Sequence, residues 1–272
     1  MDLDRLFTTT DYSNVTVTIA CCNDTCQNDL QLTVACSQAA TTDYDLTGQL
    51  IWPVSVLLSH YLASSRGRQL VHKRNVVEMG AGCGLAGLVA SHVGAHQVIL
   101  TDGNEIVLDL LRQNCQSTVN VKTLKLIWGD RENLSTVLRD MTHVDVVIAA
   151  DVVQWPAVVE PLLHSVKALL WTSECETPTL VLGIVNRAQS TYDMFFELAA
   201  KLGFSYRRVP HDNFLKVLPK SCQEYGGRVT EVWEVELVDR SQEPVLLQAD
   251  NGENTSDPTL GSAYQNTSYL PC

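Results

Sequence analysis

The stretch from Asn75 to Asp102, NVVEMGAGCGLAGLVASHVGAHQVILTD, constrains this chain more than any other. Val76 to Met79 is short, apolar and rich in valine, as a strand buried on both faces of a parallel sheet is. Gly80, Gly82 and Gly84 follow at every second position, where the backbone must turn sharply and approach a ligand with no Cβ in the way. Leu85, Leu88, Val89, His92 and Val93 then fall at helical spacing, and Gly94 stops the helix as a C′ glycine does. A second strand, Gln97 to Thr101, delivers Asp102 at its carboxyl end. Strand, turn, helix and strand in so short a span predict an α/β fold with ligands bound at the carboxyl ends of parallel strands.

Two kinds of cofactor fit the turn. Gly82-Cys83-Gly84-Leu85-Ala86-Gly87 is a G-x-G-x-x-G with an acidic residue about 20 positions on, as in dinucleotide binding. Glu78, two residues before the first glycine, favours the other kind. A carboxylate suits a cofactor carrying an ammonium and a sulfonium, whereas a pyrophosphate wants backbone N–H groups. With Glu78 the pattern becomes E-x-G-x-G-x-G, which resembles motif I of the class I S-adenosylmethionine-dependent methyltransferases.

With 19 basic against 31 acidic residues the chain carries a net charge of −12, which disfavours general binding to nucleic acid. The segment MDLDRLFTTTDYSN has no basic region followed by an apolar core, so no export signal is expected, and no apolar run is long enough for a membrane span. Nine cysteines in such a chain are expected to be reduced thiols, in the cytoplasm or also in the nucleus. Cys21, Cys22, Cys26 and Cys36 cluster without paired C-x-x-C spacing, so no metal site is expected.

Taken in order, NVTVTIACC and DLQLTVAC predict a β-hairpin in an N-terminal extension, 1–44. Pro53 opens a helix carrying Val54, Leu57, Leu58, Tyr61 and Leu62 on one face, with Trp52 at its entrance. A helix over Glu105–Gln116 follows Asp102, and its Asn114 is a polar residue on an apolar stripe, expected to tie down backbone. A strand from Lys122 to Ile127 runs into Trp128-Gly129-Asp130. In VDVVIAADVVQWP a second buried strand ends in Ala149-Ala150, with Asp151 following at its carboxyl end. Helix Pro156–Leu170, strand Thr179–Val185 and helix Thr191–Leu202 continue the alternation, until Phe204–Val209 and Val229–Val238 predict two strands with no full helix between them. A closing antiparallel pair is a methyltransferase ending and is not expected of a plain dinucleotide domain. Past Arg240 the composition turns to Ser, Thr, Asn, Asp, Gly and Pro, so 241–272 is expected to be a disordered acidic tail.

With Leu50-Ile51-Trp52-Pro53, the glycine turn, Thr101-Asp102, Trp128-Gly129 and Ala149-Ala150-Asp151 in order, residues 45–240 resemble the seven-β-strand methyltransferase group labelled family-16 or nicotinamide-N-methyltransferase-like. The resemblance implies a Rossmann-like seven-stranded sheet with helices on both faces. It implies binding of S-adenosylmethionine by Trp52, Glu78, Gly80, Ala81, Gly82, Asp102, Trp128 and Ala150. It further implies a protein-lysine methyltransferase working on a protein substrate of the chaperone or translation-factor kind, and a monomer is expected.

One departure is visible. The family's Asp-x-x-Tyr or Asp-x-x-Phe is here Asp151-Val152-Val153-Gln154, with Trp155 next. Asp151 is expected to orient the acceptor amine and Trp155 to offer its π face to a methylated ammonium. Small-molecule N-methylation, or a cofactor-binding interaction protein whose catalysis has decayed, are the alternatives that the sequence keeps open.

Overall fold

A computed structural model describes residues 12–20, 29–37, 44–223 and 228–248. Its centre is β3 (Asn75–Met79), where all five residues are buried, as expected of an apolar strand with helices on both sides. Parallel to it lie β4 (Gln97–Asp102) on one side and β6 (Val146–Ala150) on the other. β5 (Val121–Lys125) extends the sheet beyond β4, and β7 (Thr179–Val185) extends it beyond β6. The last two strands are antiparallel additions. β9 (Thr230–Leu237) pairs with β7, and β8 (Phe204–Val209) closes the edge, giving the order β5-β4-β3-β6-β7-β9-β8. The chain thus turns from one side of β3 to the other, which opens a crevice beyond the carboxyl ends of β3 and β6.

Alternate strand residues feed two cores, as the period of two requires. Val76, Val98, Leu100, Val146 and Ile148 face α1 (Pro53–Ala63), α3 (Leu85–His92) and α4 (Glu105–Cys115). Val77, Ile99, Val147, Leu180 and Leu182 face α5 (Arg131–Asp140), α6 (Pro156–Trp171) and α7 (Gln189–Lys201). The short α2 (Ser65–Val71) follows α1 so closely that a Cβ on Gly67 would lie 2.0 Å from the Tyr61 carbonyl oxygen. Glu234 on β9 accepts from Arg66 at 2.8 and 3.1 Å, from Arg207 at 2.7 Å and from the Tyr61 hydroxyl, tying the α1–α2 corner to the closing strands.

The expected hairpin is β1 (Tyr12–Ile19) and β2 (Leu30–Ser37), paired antiparallel over their full length. Its Ile19, Leu32 and Val34 enter the same core as α1 and α3, so it packs as part of the sheet's helical layer. Asn114 on α4 accepts from the Ala35 N–H at 2.8 Å and donates to the Ala35 and Cys83 carbonyls at 3.0 Å each, joining β2 to the glycine turn. Its expected duty as an amide tying down backbone is what the geometry has it do.

Three differences from the sequence reading have physical reasons. The strand expected at Lys122–Ile127 is Val121–Lys125, because the ladder stops at the Asp102–Lys125 pair and the chain turns under the sheet end. α5 was not expected, since only Leu134 and Val137 of its ten residues are buried and the stripe is too thin to read. Residues 241–248 also belong to the packed body. Arg131 donates to the Gln248 and Val245 carbonyls at 2.8 and 2.7 Å, and Leu246 and Leu247 lie against the second core. Cys21, Cys22 and Cys26, and the expected tail from 249 onward, lie outside the described residues. Among the described residues no helix is long and apolar enough to cross a membrane, and no acidic, histidine and cysteine group could hold a metal.

Asn114→Ala strands one N–H and two carbonyls at the junction of hairpin and turn. The expected cost is about 3 kcal/mol, or a fall of about 6 to 12 °C in melting temperature. An unchanged melting curve would show that the tie contributes nothing.

Candidate functional site

The crevice at the carboxyl ends of β3, β4 and β6 is a cavity of about 410 Å³. Its size and mixed lining are those of a small-molecule site. Trp52, Glu78, Gly80, Ala81, Gly82, Asp102, Trp128, Ala150, Asp151 and Trp155, all singled out from the sequence, line it together.

The glycine turn forms its floor. Gly80 and Gly82 have φ of +61° and +54°, which other residues adopt only under strain. A Cβ on Gly82 would stand 2.8 Å from the Gly48 carbonyl oxygen, and one on Gly80 would stand 3.2 Å from the Trp128 ring. Both glycines therefore let a wall close in: the 3-10 turn Tyr44–Gln49 over one, the indole of Trp128 over the other. Trp52 completes that side, its Nε1 donating to the Thr47 carbonyl at 2.9 Å.

Two carboxylates face the turn from below. Asp102 accepts from the Gly82 N–H at 3.2 Å and the Asn104 N–H at 3.1 Å, so its position is set by the turn. Burial raises its proton affinity, with those N–H groups opposing. Glu78 is 2% exposed and accepts from the Gly87 N–H at 2.9 Å. Gly87 lies in the first turn of α3, whose N-cap Gly84 offers no side chain, so Glu78 satisfies a donor otherwise left orphaned. Burial pushes its carboxyl up to about 8, the Gly87 N–H opposing and the Asp102 charge adding to it. A ligand with cationic groups fits this acidic floor, and the bare turn fits a bulky one that must lie on backbone.

The other wall is built on Asp151, a buried non-glycine residue at φ +59°. Its N–H donates to the Gly183 carbonyl at 2.9 Å, and its carbonyl accepts from Gln154 Nε2 at 2.8 Å. Its side chain is ion-paired through Oδ2 with Arg187, just past the end of β7. Trp155 is the N-cap residue of α6, and it is 44% exposed at the cavity rim. Gln154 lines the cavity as well. The sequence reading missed Arg187 and the Thr47-Gly48 cover. The signal for Arg187 was its place in a loop at the carboxyl end of a parallel strand.

Comparison with known proteins bears on what such a cavity holds. A family profile described as lysine methyltransferase matches residues 31–201. The match begins inside β2, so the hairpin's second strand belongs to the shared unit. A histone-arginine methyltransferase, METTL23 of Xenopus laevis, is 35% identical over 127 residues, 45% of this chain and 52% of that protein. The protein-lysine N-methyltransferase EFM3 of Chaetomium thermophilum is 29% identical over 168 residues, 58% of this chain and 48% of that one. The matched region spans about half the length of these relatives. Among solved structures, a branched-chain polyamine synthase from Thermus thermophilus is 13% identical with a TM-score of 0.51, over 78% of this chain and 63% of that chain. That likeness is one of fold.

Two measurements check the floor. Because the folded chain holds a proton on Glu78 that the unfolded chain releases above the ordinary carboxylate range, the stability this contributes is full below about pH 4.5 and lost as pH rises through about 8. Glu78→Gln should remove up to about 1.4 kcal/mol per pH unit from the slope of unfolding free energy between pH 5 and 8. An identical slope in the variant would mean that Glu78 is already ionised. Asp102→Ala should weaken binding of S-adenosylmethionine by about 1.5 to 3 kcal/mol, the range for a hydrogen bond to a charged group. Calorimetry finding equal affinity would displace the ligand from Asp102.

Proposed function

Since this chain belongs to the lysine methyltransferase family, we propose that it transfers methyl groups from S-adenosylmethionine to a lysine side chain of a protein substrate. What supports this most is the two-part lining of one cavity: an acidic, glycine-floored half beside a half with a buried carboxylate and an indole open to solvent at the rim. The open rim favours an acceptor carried on a larger molecule. A monomer in the cytosol or nucleus is part of the same proposal.

In this reading Gly80, Ala81 and Gly82 cradle the cofactor on backbone. Glu78 and Asp102 supply the negative charge its ammonium and ribose hydroxyls call for, and Trp52, Trp128 and Ala150 cover its apolar surface. When bound, the cofactor supplies an electrophilic methyl on sulfur. The chain must then align a neutral amine with that methyl and exclude water, which is largely a matter of proximity. Trp155 offers a π face to the cation that forms as the new N–C bond closes. Asp151 accepts an N–H of the amine and fixes the direction of its lone pair.

The test is incubation of the pure chain with methyl-labelled S-adenosylmethionine and a cell lysate, followed by amino-acid analysis of any labelled protein. Methyllysine in one band is the expected result. Methylarginine would move the reading toward the activity in METTL23's name, and label only in small molecules or nowhere would sink it. Trp155→Ala should lower the rate by about 3- to 30-fold, as loss of a cation–π contact predicts, with cofactor affinity nearly unchanged. An unaltered rate would remove Trp155 from the acceptor wall.

A further inference from the structure

Arg187 joins the two halves of the cavity. Its guanidinium is paired with Oδ2 of Asp151 and stands over the indole of Trp52, 5.7 Å from the ring centroid. Its side chain is 21% exposed, and that of Asp151 is 3% exposed. The backbone of Asp151 is fixed separately, by Gly183 on β7 and by the Gln154 amide, in a left-handed conformation. Every lever that aims this carboxylate is thus supplied by the surrounding structure, which is what holding a non-glycine residue at positive φ requires.

We propose that Arg187 is a positioning residue of the acceptor site: it holds one oxygen of Asp151 so that the carboxylate stays charged and presents its other oxygen to the incoming amine. The proposal rests on the methyl-transfer reading above for the identity of the amine. A carboxylate with so little exposure loses its hydration and tends to take up a proton, and a protonated Asp151 could no longer accept from the amine in the same way. Burial does raise the carboxyl of Asp151, with Arg187 opposing through charge and hydrogen bond and Arg228, ahead of β9, opposing through charge. These two cations are the charged groups set against Asp151 among the described residues. Arg187 has a second effect in the same place. A lysine entering beside a permanent guanidinium meets a like charge, which favours its neutral, nucleophilic form. An arginine does this at every working pH, because it does not deprotonate in proteins.

The experiment measures the ionisation of Asp151 directly and needs no substrate. Carbon-13 NMR of aspartate-labelled protein, with the resonance assigned through Asp151→Asn, follows the carboxyl against pH in the wild type, Arg187→Met and Arg187→Lys. Arg187→Met should titrate at least one pH unit above the wild type, and Arg187→Lys should recover most of the difference. In the methylation assay, the acid limb of kcat/KM should move upward by the same interval in Arg187→Met and return in Arg187→Lys. Cofactor affinity should change less than threefold. Should Arg187→Met fail to fold, Arg187→Gln carries the same expectation. An Asp151 titration that is the same in the uncharged variants overturns the proposal, as does a loss of rate that is uniform across pH. A wild-type chain that methylates nothing would count against the lysine methyltransferase activity, while the titration still decides whether Arg187 controls Asp151.

Discussion

The missing Cβ of Gly82 is the constraint on which the site depends. The Gly48 carbonyl lies 2.8 Å from where that atom would be, so the 3-10 turn ahead of α1 can close onto the glycine turn only while residue 82 is bare. From this contact the rest of the glycine-floored half of the cavity follows. The turn brings Thr47 to the indole of Trp52, and Cys83 points its thiol back at the Gly48 carbonyl, 3.7 Å away. Asn114 then fastens the glycine turn to the hairpin through Cys83 and Ala35. A side chain at position 82 would disturb a floor, a cover and a hairpin at once, although the residue itself touches no core.

The strands that position these parts were legible in the sequence because their signals are local. β3, β4, β6, β7 and β8 announce themselves as apolar or β-branched runs bounded by turn residues, and each lies within a residue or two of its expected bounds. The glycines, Asp102 and Asp151 were legible for a different reason: a ligand crevice at the carboxyl ends of parallel strands follows from the sheet's topology. What was not legible depends on contacts across long separations. Arg187 meets Asp151 across 36 positions, and nothing in V-N-R-A-Q says that it must. α5 fails to show because its burial is two residues wide, and the packing of 241–248 fails because it uses backbone carbonyls, which every sequence has.

Glu78 lines the cavity, and it also has work in the fold that its place before the glycines does not reveal. Its position before the glycines suggested a counter-charge for a cationic ligand. In the structure the carboxyl is also the cap of α3, held by the Gly87 N–H at 2.9 Å. A Cβ on Gly87 would approach that same oxygen to 2.5 Å, so the glycine and the glutamate require one another. The carboxyl's first duty is to the helix that follows the turn, and its burial keeps it protonated when no cation is near.

The two halves of the cavity bury their carboxyls with different partners. On the cofactor side two carboxyls, Glu78 and Asp102, sit in one buried floor with backbone N–H groups as their recorded partners, and burial raises both. Such a floor gains when a cation arrives, because the incoming charge supplies what the fold withholds. Beside Asp151, the acceptor side in the proposed reaction, the fold supplies the cation itself. Arg187 pairs with Asp151 and opposes the upward push that burial gives this carboxyl too. An amine must be neutral to attack, and a site whose carboxylate needed an ammonium partner would select the wrong protonation state. In the proposed reaction a permanent cation beside Asp151 eases that need, and so separates holding the amine from charging it.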